Sequence, residues 1–151
     1  MTYELREGRY LVSTDPSLLD IDRIRAFLTA SYWAEGVPRD IVARAIERSI
    51  AFGLFDGQAQ IGFARVITDR ATFAYIADVY VEEEFQGQGL GKLLMRSVMS
   101  HPDLQGLRRW MLGTRDAHGL YQQFGFTGTR NPDRWMEKGN PDVYTIGPRG
   151  V

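Results

Sequence analysis

The stretch Asp78-Val79-Tyr80-Val81-Glu82-Glu83-Glu84-Phe85-Gln86-Gly87-Gln88-Gly89-Leu90-Gly91-Lys92 decides how this chain is read. It starts within a run rich in β-branched and aromatic residues, Thr72 to Val81, which predicts a long, centrally placed strand. It ends by opening a helix, with Leu90, Leu93, Leu94 and Val98 spaced along one buried face. A strand, a glycine-rich turn and a helix in that order aim several backbone N–H groups at one point, where the positive end of the helix dipole also lies. Such a turn binds an anion, most often a phosphate, and its glycines allow close approach to the backbone. A bare connecting turn is the alternative.

Spacing narrows the phosphate ligand. A Walker A loop needs glycine where Gln86 stands and a hydroxyl where Leu93 stands, so it fails twice. The dinucleotide pattern needs glycine at position 92 or 94, which hold Lys92 and Leu94. The pattern that fits is Gln-x-x-Gly-x-Gly, on Gln86, Gly89 and Gly91.

Upstream, Tyr10 to Thr14 reads as a short strand, and Asp15-Pro16 opens a helix carrying Leu18, Ile21, Ile24 and Leu28. Tyr32, Trp33 and Gly36 break the pattern before Pro38 starts a second helix with Val42, Ala45, Ile46 and Ser49 on one face. From Ile50 the period becomes two, with a hairpin at Asp56-Gly57, a return strand from Ile61 to Ile67 and a turn at Asp69-Arg70. Downstream, Gly125 suits a left-handed helix end, Phe126 would begin another strand, and Val143 to Ile146 could be a last strand or a docking arm. The expected architecture is a single α/β domain over residues 1–151, with a motif-bearing core at about 50–129 and a tail or docking strand at 139–151. Its sheet is mixed and mostly antiparallel, of six or seven strands flanked by helices.

Composition removes other chemistries. The 151 residues include no cysteine, which excludes a disulfide framework, a cysteine zinc site, an iron–sulfur cluster and a cysteine nucleophile. Eighteen basic residues against nineteen acidic ones give no broad field for nucleic acid. No apolar stretch approaches the ~20 residues of a membrane span, and Met1 to Arg6 lacks an apolar core. A cytoplasmic protein with no nucleic-acid or membrane partner is expected. The two histidines, His101 and His118, have no metal-ligand spacing.

On Gln86, Gly89 and Gly91, on the strand Asp78-Val79-Tyr80-Val81 before them, and on Leu112 to Phe126 with its Leu120-Tyr121-x-x-Phe124-Gly125-Phe126 segment, the sequence resembles the GNAT superfamily of N-acetyltransferases. The resemblance covers Ile50 to about Thr129 and implies a sheet with splayed central strands. It implies acetyl-CoA as co-substrate, with backbone groups of Gln86, Gly87, Gln88, Gly89, Leu90, Gly91 and Lys92 around the pyrophosphate. The pantetheine arm would run along Val79, Tyr80 and Val81 like an added strand. Many members have Asn where this chain has Thr114, which would stand in for the usual side-chain contact to the arm.

The same resemblance makes Tyr121 the general acid that protonates the departing thiolate. Asp78, a carboxylate in an otherwise apolar strand, needs a partner or a task and is the candidate base. Tyr75, Glu82, His118 and ordered water compete with it. Tyr32, Trp33, Arg65 and His118 are candidates for the acceptor pocket, and Trp110 and Trp135 for packing. Glu82-Glu83-Glu84 could draw a cationic amine, although a solvated acidic turn is the commoner meaning of such a run. The expected reaction is acetyl transfer to a small-molecule or peptide amine by direct attack in a ternary complex. A non-catalytic CoA-binding module is the alternative, and family habit leaves a homodimer open.

Overall fold

The chain opens with a hairpin that its residue pattern does not announce. In the computed structural model, which describes residues 1–144, β1 (Glu4–Glu7) pairs antiparallel with β2 (Tyr10–Ser13). β1 is exposed apart from half-buried Leu5, so it has no apolar alternation to read.

The first helix begins later than expected. Asp15 caps a short 3-10 turn, Pro16–Leu18, and Leu19 is extended. Asp20 then caps α1 (Ile21–Thr29), its Oδ1 accepting the Arg23 N–H at 3.0 Å. Both aspartates offer a cap, and the chain uses each for a separate element. After Pro38, α2 (Arg39–Glu47) buries Val42 and Ile46 as its spacing predicts. There follow β3 (Ile50–Asp56), β4 (Ala59–Thr68), β5 (Phe73–Val81), α3 (Leu90–Ser100), β6 (Arg109–Met111) and α4 (His118–Gln122).

The six strands lie in the sheet in chain order. All neighbours are antiparallel except β5 and β6, which are parallel and are joined by the α3 crossover that such a pair requires. Phe52, Leu54, Val66 and Ile76 pack against Leu93, Leu94 and Val98 of α3 on one face. Ile24, Leu28, Val42 and Ile46 of α1 and α2 cover Phe63 and Tyr80 on the other.

Two irregularities mark β5. Phe63 pairs with Tyr80 and Arg65 with Ala77, so Asp78 and Val79 together oppose Ala64 in a β-bulge. Asp78 takes a φ of 57°, a conformation that aspartate tolerates better than most residues. The bulge inverts the strand's alternation: Ala74 and Ile76 face α3, whereas Tyr80 faces α1 and α2. The second irregularity is the short pairing of β5 with β6, which runs only from Phe73↔Arg109 to Tyr75↔Met111. Beyond it the strands part, and among the described residues β5 continues to Val81 with no strand on that side.

Gly125, at φ 90°, ends the turn after α4 as expected. The strand expected from Phe126 is absent among the described residues. The Phe126 N–H bonds the Tyr121 carbonyl at 3.3 Å, and a groove of about 810 Å³ lies between residues 126–129 and β6. Val143 lies in a turn, and Ile146 is outside the described residues. Among the described residues no helix is long and apolar enough to cross a membrane, and no acidic or histidine cluster could hold a metal ion.

Candidate active site

Gly87 and Gly89 adopt φ values of 82° and 79°, and a Cβ on either would project into open space. The Gln86 N–H, expected to join the cradle, instead bonds the Glu83 carbonyl at 3.2 Å and closes the short turn before it. The N–H groups of residues 87–92 find no acceptor among the described residues, the bonds of α3 beginning with Leu93 N–H to the Gly89 carbonyl. Consecutive free donors at the N-terminus of α3, with room in front of them and Lys92 beside them, fit a pyrophosphate. Gly91 is different: its φ is not positive, and a Cβ there would meet Leu120 Cδ2 at 3.4 Å, an ordinary contact, where α3 and α4 approach.

Side chains fix the loop from behind. Gln86 Nε2 donates to the Val81 carbonyl at 2.9 Å, and the Tyr10 hydroxyl donates to Gln88 Oε1 at 2.8 Å. Glu82 accepts from Arg23 Nε and Nη2 at 2.7 and 2.6 Å, which ties α1 to the strand end. Glu82 is therefore a structural partner, and the acidic run is less of a free field than its composition suggests.

The parting of β5 from β6 opens a cleft of about 490 Å³ between Tyr75–Val79 and Gly113–Ala117, with Tyr121 at its base. Tyr121 is 8% exposed, and its hydroxyl makes no hydrogen bond to another described residue. Burial, with a smaller contribution from Tyr32, pushes its phenol up to about 12, so it stays protonated across the neutral range. Thr114 lines the cleft and accepts the Ala117 N–H at 3.0 Å, which shapes the entry to α4.

Tyr32 and Trp33, from the loop between α1 and α2, reach across the cleft mouth. The Tyr32 hydroxyl accepts the Arg115 N–H at 3.0 Å, and the Arg115 guanidinium lies 3.9 Å from the Tyr32 ring centre. Trp33 Nε1 donates to Asp78 Oδ1 at 2.9 Å, while Arg65 Nε donates to Asp78 Oδ2 at 2.8 Å. Tyr32, Trp33, Asp78 and Tyr121 thus meet at one cleft, with Arg65 behind Asp78. His118 lines a separate cavity on the other side of Tyr121. The Tyr80 side chain lies on the far face, stacked 3.8 Å from Phe27, so only its backbone borders the open edge. Trp110 packs edge-on against Phe126, and Arg109 lies over the Trp135 ring.

An anion held by residues 87–92 and carrying an extended arm would have the open edge of β5 to follow toward Tyr121. Over residues 18–126 the chain matches the Acetyltransferase (GNAT) family. FG08082 of Gibberella zeae, an acetyltransferase by name, is 38% identical over 137 residues, covering 76% of each chain. A GNAT-family crystal structure from Xanthomonas campestris pv. campestris has a TM-score of 0.90 and 49% identity, over 93% of this chain and 100% of that one. A Clostridium acetobutylicum acetyltransferase solved with acetyl-CoA shares the fold, with a TM-score of 0.62 and 17% identity over 92% and 96% of the two chains. The chain belongs to the GNAT family of acetyltransferases.

Proposed function

We propose that the protein moves the acetyl group of acetyl-CoA to a primary amine by direct attack in a ternary complex. One arrangement supports this reading: the free N–H groups of residues 87–92 follow directly on β5, whose edge, unpaired beyond Tyr75 among the described residues, borders the cleft that Tyr121 lines. Acetyl-CoA, solved in a fold relative, supplies an activated thioester. The loop N–H groups and Lys92 hold its pyrophosphate, and β5 offers an edge for the arm. The Val81 carbonyl is already taken by Gln86, which leaves Val79 as the expected backbone partner.

The neutral amine nitrogen bonds to the acyl carbon as the carbon–sulfur bond breaks. Tyr121 delivers its proton to sulfur and recovers one from the amine through water. Starting from an ammonium ion, one proton is released in total. Asp78, at the cleft and on the acceptor side, draws the ammonium and receives that proton, directly or through water. Tyr121, with a pKa above the ~8.5 of a thiol, acts as charge develops on sulfur rather than by prior transfer.

Thermal-shift measurements test the first half. Protection by acetyl-CoA but not by ATP or NAD is expected, and protection by none of them removes the reading. CoA release with a panel of amines tests the second half: protection without turnover on any amine would favour a non-catalytic CoA-binding module.

A further inference from the structure

A second cavity, of about 190 Å³, lies behind the cleft between α2 and the sheet. Trp33 and Asp78 line both spaces, and their 2.9 Å hydrogen bond forms the partition between them. Leu28, Val37, Val42, Ile46 and Phe63 give the inner cavity buried apolar walls. Its charged groups are already matched, Arg65 to both Asp78 and Ser49. A dry cavity of about 150 Å³ with aliphatic and aromatic walls is large enough to take a benzene ring. The recess is partly open to solvent and has one polar side, formed by Arg65 and Asp78, and one apolar side, where a hydrocarbon group is what Leu28, Val42, Ile46 and Phe63 would accept.

Resting on the acetyltransferase reading, we propose that this cavity takes the side chain of the acceptor. The acceptor is then a primary amine bearing one compact apolar group, a branched alkyl chain or a single aromatic ring. Its ammonium takes the place of the Trp33 indole N–H on Asp78 Oδ1, while the apolar group passes the opened partition into the inner cavity. The nitrogen is thereby held at the cleft that Tyr121 borders. Trp33 is 41% exposed, and outward rotation of its indole, away from its packing against Phe27 and Tyr32, is the movement this binding requires. An α-amino acid is disfavoured, because its carboxylate would face Asp78 or enter apolar walls whose arginine is already paired.

The test compares methylamine, isoamylamine, 2-phenylethylamine, ethanolamine, putrescine and leucine as acceptors by CoA release, with calorimetric binding of isoamylamine to CoA-saturated protein as a readout independent of turnover. kcat/KM should rise about fourfold per buried methylene, equivalent to about 0.8 kcal/mol. Isoamylamine should bind, and leucine, ethanolamine and putrescine should fall well below it. Filling the cavity with V42F should erase the isoamylamine advantage over methylamine, and A45L on the same wall serves if V42F does not fold. Equal or better transfer to the polar amines, or an advantage that survives both variants, overturns this assignment while leaving the acetyltransferase reading intact. Failure to bind acetyl-CoA at all would overturn both.

Discussion

The Gln86 side-chain amide donates to the Val81 carbonyl at 2.9 Å, so the first residue of the glycine motif points back at its own strand. The interaction closes the turn and sets the direction of the N–H groups beyond it. Q86A should therefore weaken acetyl-CoA binding about fivefold, the scale of one hydrogen bond of about 1 kcal/mol, and raise KM for acetyl-CoA more than it lowers kcat. Isothermal titration and steady-state kinetics check this, and an unchanged Kd would show that the amide does not organise the loop.

Y121F should lower kcat about 100-fold or more, the usual scale of general-acid catalysis, with little change in acetyl-CoA affinity. The sign of the pH effect comes from burial. The acid must be protonated to act, and its pKa is raised to about 12, so wild-type activity should rise as the amine deprotonates and show no Tyr121-dependent decline below about pH 11. A descending limb near about pH 9–10 that vanishes in Y121F would contradict the buried state of the phenol.

Tyr80 is 4% exposed, and its hydroxyl has no hydrogen-bond partner among the described residues, while Phe27 stacks on the ring. Burying a hydroxyl without a partner costs about 1–3 kcal/mol, so Y80F should stabilise the protein. An increase in Tm of about 2–4 °C is expected for each 1 kcal/mol gained. A lower Tm by calorimetry would mean that the hydroxyl is satisfied in solution.

His101 sits between the rings of Tyr3 and Phe52, and its Nδ1 accepts the Asp103 N–H at 3.1 Å. Burial lowers its pKa from 6.5; Asp103 opposes that shift and Arg70 adds to it. The unfolded chain therefore binds a proton before the folded one does. The histidine's contribution is complete above about pH 6.5 and is lost as pH falls toward the depressed folded value. Thermal melts from about pH 8 to about pH 5 should show the wild type losing more stability than H101N, whose amide can still cap Asp103. Parallel curves would rule this out.

Local features were legible in the residues. The loop glycines, the buried positions Leu90, Leu93, Leu94 and Val98, the hairpin at Gly57 and the helix end at Gly125 each depend on neighbours a few positions away. The features that complete the cleft depend on long-range register. Arg23 reaches Glu82 across 59 positions and Trp33 reaches Asp78 across 45, separations at which pattern carries no information. The bulge had one available signal: aspartate inside an apolar strand is among the few residue types suited to a positive φ. The same aspartate is the group that Arg65 and Trp33 meet, contacts that its place in the strand pattern does not indicate.

The parallel pairing of β5 with β6 has a kinetic consequence. The hairpins β1–β2, β3–β4 and β4–β5 join segments close in sequence, whereas β2–β3 and β5–β6 pair segments about 40 positions apart, and of these two β6 is held by only three residue pairs. Contacts of that kind form slowly, and an element held by three paired residues should be among the first to open in the native state. The wall bearing Tyr121 is then held to the sheet by the shortest of its strand pairings, which marks it as a region of low local stability. A ligand bridging the two walls should slow amide exchange in β6 and α4 far more than in β3 and β4.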